Sequence, residues 1–136
     1  MHKELYRMVK IDFKTPYYDY NVTLIQVESE KDAVAVCKFL AKEKIGKEHI
    51  GDAREYITEG YRNGGETNWN SRTKRIIVLF YEFLSDKDKA NVYSHEKRHI
   101  EDRILQQCKI EDIESSAYLA GFLGERFYEL WKKTTK

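Results

Sequence analysis

"RIIVLFYEFLSDKDKANVYSHEKRHI", residues 75–100, changes period partway along, and that change decides the fold. Its first part is an unbroken apolar run, Ile76, Ile77, Val78, Leu79, Phe80 and Tyr81. A β-branched and aromatic run without alternation predicts a central strand over 75–83, covered on both faces. From Ser85 the apolar positions take helical spacing. Ser85 or Asp86 caps a long helix, and Val92, Tyr93, Glu96, Ile100 and Ile104 share one stripe.

Upstream, Asn70 and Ser71 form a hairpin turn, with a shorter strand at 66–69. "YYDYNVTLIQVES" (17–29) reads as another strand. Ser29 with Asp32 resembles a helix N-terminus, and Ala33, Val36, Cys37 and Leu40 share a helical face that Gly46 stops. Residues 46–70 carry Gly51, Gly60, Gly64 and Gly65 and predict turns, with a short helix or strand around 53–59. Downstream, "IEDIESSAYLAGFLGERFYELWKK" (110–133) is a second long helix, with Ile113, Ala117, Ala120, Gly124, Phe127 and Trp131 as its apolar stripe. Gly121 and Gly124 each weaken it by about 1 kcal/mol relative to alanine, which suggests that another element packs close against them. The expected architecture is one α+β domain spanning 1–136: a small mixed or antiparallel sheet packed with about three helices.

A chain of 136 residues buries a core without disulfides or metal as staples, so any metal serves function rather than folding. Charged residues make up 35% of the chain, yet the net charge is only +1 and bases alternate with acids; this offers no case for nucleic acid as a partner. Cys37 and Cys108 form no C-x-x-C and read as reduced thiols inside a cell. "MHKELYRMVK" lacks the apolar run of a signal peptide, and no stretch is long enough to span a bilayer. A cytoplasmic protein with no membrane partner is expected.

Within the first long helix, His95, Glu96 and His99 spell H-E-x-x-H. Residues four apart project from one helical face, so both imidazoles can hold one zinc ion. Glu96 is then placed to take a proton from a water at that ion. With four histidines in the chain, a shuffled sequence would contain the motif in roughly one case in a hundred. Lys97 and Arg98 fill the middle positions, which are usually uncharged in a buried zinc helix. His95, His99 and Asp102 also fit a solvated polar face with a weak ion pair. A third ligand must come from elsewhere: Glu111, Asp112 and Glu114 open the next helix, Glu111 fits a first-turn dipole role, and spacing does not choose among Glu114, Glu111 and Asp102.

The order of elements around the motif resembles the zincin metallopeptidases. "SHEKRH" followed by "IESSAYLAGFL", an H-E-x-x-H and then E-x-x-A-Y-L-x-G, is similar to the small gluzincin-type, zincin-like proteins of phages and mobile elements. The resemblance covers about residues 65–130. It implies a zincin-like fold, Zn²⁺ held by His95, His99 and Glu114, and Glu96 as general base. It further implies an intracellular peptidase whose cleft is edged by the strand at 75–83 or 66–70, where an extended peptide or protein substrate pairs its backbone. A zincin scaffold kept as a binding module, and a structural domain with an accidental motif, are the rival expectations.

Tyr93 and Tyr118 flank the motif and could stabilise an oxyanion, although core packing is the simpler role for both. His49 reads as a surface histidine, Cys108 as a small buried hydrophobe, and Trp69 as a cleft lining or a cover for the sheet edge.

Overall fold

A computed structural model describes residues 8–135. His2 and most of the N-terminal stretch read for a leader lie outside the described residues. The elements run β1 (Val9–Lys14), β2 (Asn21–Gln26), a one-turn 3-10 helix (Glu30–Asp32), α1 (Ala33–Lys42), α2 (Lys47–Thr58), β3 (Gly65–Asn70), β4 (Arg75–Phe80), α3 (Asp86–Gln107) and α4 (Ile113–Thr134). The fold is mixed α+β. The sheet has the order β1-β2-β4-β3, with β2 and β4 parallel and both outer pairings antiparallel.

The apolar run is the central strand its composition demands. Ile76, Ile77, Val78, Leu79 and Phe80 are all fully buried. Alternation sends Ile76, Val78 and Phe80 into a core beneath α3 and α4, and Ile77 and Leu79 into a second core beneath α1 and α2. On the first face, α3 lies over β3 while α4 covers β1 and β2. The motif helix therefore borders the edge strand.

Both caps read from the sequence form. The Ser85 hydroxyl accepts from the Asp88 amide, and Ser29 with Asp32 makes a reciprocal capping box. Asn70 accepts the amides of Arg72 and Thr73 to close the β3–β4 hairpin.

Four expectations change. β1 was not read, although Val9, Ile11 and Phe13 alternate. The strand expected over 17–29 shrinks to Asn21–Gln26, because Tyr17 and Asp19 turn the chain with φ of 69° and 58°. The region expected to be turns with a short helix or strand around 53–59 holds the twelve-residue α2, which makes four helices where about three were expected; Gly46 starts this helix as its N-cap, and Lys44, at φ 63°, ends the preceding one. In α4 the buried row is Leu119, Leu123, Phe127 and Leu130, whereas Ile113 and Ala117 are exposed. Large side chains take the core-facing row, which leaves Gly121 and Gly124 with open space where a Cβ would stand, not a packed neighbour. Among the described residues, no helix is long and apolar enough to cross a membrane.

Candidate metal centre

Glu96 belongs to the buried stripe of α3 and is 4% exposed, whereas His95 and His99 flank it on the solvent side. The approach of α3 to the edge strand depends on Gly65. A Cβ there would lie 2.8 Å from Glu96 Cγ, 3.1 Å from Val92 Cγ1 and 3.2 Å from the Leu79 carbonyl oxygen. Two residues along β3, on the face toward α3, the Thr67 hydroxyl donates to Glu96 Oε1 at 2.7 Å. A buried carboxylate needs such a donor, and this one fixes the side chain with Oε2 toward the histidines.

His95 Nε2 and His99 Nε2 are 3.1 Å apart, and their rings stand at 88° to each other. Two nitrogens at that separation can both reach one zinc ion, at bond lengths of about 2.0–2.1 Å and a ligand angle of roughly 100°. The same distance also suits a hydrogen bond between two neutral rings, one donating and one accepting. Glu96 Oε2 lies 3.9 Å from His95 Nε2. Donors sharing one tetrahedral ion sit roughly 3.3 Å apart, so this carboxylate stands beside such an ion rather than in its shell. The two imidazoles suit a transition metal, and the carboxylate, with its ligand atom within 4.8 Å of theirs, is close enough to act on a water held there.

These side chains face a cleft of about 380 Å³ between α3 and β3. Thr67 and Trp69 form one wall, bordered by Gly65 and Glu66, and His95, Glu96, His99 and Arg103 the other; alternation turns the Glu66 side chain to the opposite face of the sheet, toward α2. Trp69 thus lines the cleft, and His49 packs against its ring at 4.7 Å. Burial pushes the Glu66 carboxyl up to about 7, opposed by the Asn68 side chain and reinforced by the charges of Asp52 and Glu96. One oxygen of Glu66 is buried without a hydrogen-bond partner.

Glu114 is not brought to the histidines. It is exposed in the first turn of α4, next to the Asp112 cap, and stands outside the metal-competent group found among the described residues. The reason is length: α3 runs eight residues beyond His99, roughly 12 Å, before the chain reverses. Glu111 is exposed ahead of the same helix and also stands outside the group, and Asp102 pairs with Arg98 at 3.2 Å. Lys97 and Arg98 do not crowd the site. Lys97 pairs with the buried Glu101, and Arg98 with Glu101 and Asp102, along other faces of α3.

Neither tyrosine enters the cleft. Tyr93 is a core ring packed on Phe80, Phe127 and Trp131, and burial pushes its phenol up to about 12. Tyr118 is exposed beside Tyr17. The sequence reading missed Gly65, Glu66, Thr67 and Arg103 as parts of the site. Two signals were available: Thr67 and Trp69 share a face of β3 by alternation, and Arg103 continues the row of His95 and His99 at four-residue spacing.

A histidine pair with an adjacent, anchored carboxylate, at the edge of a mixed sheet, defines a candidate metal centre on an α+β scaffold. Compared with known proteins, the chain matches no family model, no curated protein and no solved structure. The zincin resemblance therefore rests on the motif residues alone.

Proposed function

We propose that this protein is a zinc-dependent hydrolase acting inside the cell on a peptide or protein. One observation carries the reading: two imidazole nitrogens converge to 3.1 Å at the mouth of a cleft, with an anchored carboxylate beside them. His95 and His99 would hold the ion. Bound there, zinc would polarise a substrate carbonyl and lower the pKa of a water toward about 7. Glu96 would serve as the base toward that water and as the acid toward the leaving amine. Thr67 keeps Glu96 in position through Oε1, which leaves Oε2 for the proton. β3 ends the sheet, so its outer edge offers backbone groups to an extended substrate.

The position of Glu114 favours a second reading, a metal-binding module without hydrolysis, because with Glu96 kept as the base no third protein ligand joins the histidine pair among the described residues. Metal analysis of tag-free protein decides first. Less than about 0.2 zinc per chain, with no gain on zinc addition, ends both readings. A peptide-library digest of zinc-loaded protein then separates them. Glu96→Gln should retain zinc and abolish cleavage; a variant as active as the parent refutes the role given to Glu96.

A further inference from the structure

Among the described residues, Arg103 is the one lysine or arginine on the cleft wall. It stands one turn beyond His99 in the row His95, His99, Arg103, and its guanidinium lies 3.8 Å from the centroid of the Trp69 ring. At that distance the cation packs on the ring, and among the described residues no carboxylate takes up its N–H groups. Other arginines spend such groups on carboxylates: Arg98 on Asp102, Arg126 on Glu129 and Arg75 on Glu43. Among the described residues, Arg103 has neither an ion pair nor a hydrogen bond.

A guanidinium packed on an aromatic ring, with its donors unpaired in a cleft, is suited to bidentate capture of a carboxylate. The stack has already removed much of the side chain's rotamer freedom, so less is lost on binding. The four residues from His99 to Arg103 rise roughly 6 Å. An extended peptide advances about 3.3–3.6 Å per residue, so a carboxylate at Arg103 lies about two residues from a group held at the histidine pair.

We propose that Arg103 is the specificity residue of this cleft, receiving a substrate carboxylate about two residues from the bond at His95 and His99. An acidic side chain or the free C-terminus of a peptide can supply that carboxylate. The inference rests on the metal-hydrolase reading above.

The test is equilibrium binding of hydroxamate-capped peptides to zinc-loaded protein, with zinc content measured on every sample. The hydroxamate anchors each probe at the ion. One pair ends in Asp-amide or Asn-amide; the other ends in a free or an amidated leucine. The parent should prefer the acid member of one pair by about 10-fold or more, and Arg103→Gln should cut that preference below about 2-fold with zinc content unchanged. Preference in the first pair assigns an acidic side chain, and in the second a chain end. A zinc-loaded parent that prefers neither acid, or a preference that survives Arg103→Gln, overturns the inference and leaves the metal reading standing. A parent that holds no zinc overturns both.

Discussion

Thr67→Val isolates the contact that anchors Glu96. The substitution keeps the shape of the side chain and deletes the hydroxyl that donates to Glu96 Oε1 at 2.7 Å. Glu96 is 4% exposed, so water cannot easily replace the donor. Hydrogen bonds to charged groups contribute ~1.5–3 kcal/mol, and an orphaned buried acceptor loses about that much. Urea unfolding at neutral pH should therefore show a loss of ~1.5–3 kcal/mol, with the slope unchanged. Thr67→Ser is the control, because it keeps the donor and gives up one methyl group, worth about 1 kcal/mol. A double-mutant cycle with Glu96→Gln should return a coupling of ~1 kcal/mol or more. In the zinc-loaded protein, Thr67→Val should retain the ion and slow hydrolysis by about 10-fold or more, because it loosens the carboxylate without touching either histidine. A stability loss below ~0.5 kcal/mol together with zero coupling would refute the anchoring argument.

Three more perturbations test the same site. His95→Ala and His99→Ala should each lower zinc affinity by about 100-fold or more in a chelator competition, and should move the urea midpoint of metal-free protein little, because both rings are exposed. Glu66 has a folded pKa of about 7 against an ordinary 4.5. Its carboxyl costs nothing below pH ~4.5, destabilises progressively as the pH rises to ~7, and then levels off. The span caps the loss at ~3 kcal/mol, and water at the partly open group discounts it to ~1–2 kcal/mol. Glu66→Gln should accordingly stabilise at pH 8 by ~1–2 kcal/mol and change little at pH 4.5, as read from urea midpoints. Gly65→Ala should cost ~1–3 kcal/mol by overpacking, because its Cβ would meet Glu96 Cγ at 2.8 Å and the rigid Leu79 carbonyl at 3.2 Å; an unchanged midpoint would show that α3 can shift away freely.

Local chemistry made some features readable from the chain. An apolar run from Ile76 to Tyr81 cannot leave either face in water, so a central strand followed. Ser85 and Ser29 announced helix starts because a hydroxyl there satisfies amides that the helix leaves unpaired. The spacing of His95, Glu96 and His99 meant that any helix would bring them together, and their ligand atoms do gather within 4.8 Å. Only the second half of α2 was glimpsed, as a short helix or strand around 53–59, because its charged, glycine-punctuated residues bury little besides Ala53 and Ile57. Those two side chains pack into the core on the sheet's second face, a tertiary contact that local periodicity does not show.

Contacts between distant segments follow a different logic. Whether Glu114 reaches the histidines depends on how far α3 runs before the chain reverses and on which strands α4 covers. Packing of large side chains sets both, and the spacing of a motif does not. Thr67, Gly65 and Arg103 joined the site for the same reason: β3 pairs with β4, and α3 packs over β3 across the sheet face. Residue order along one helix is a local property of the backbone. The company a residue keeps across the cleft is a property of the assembled core.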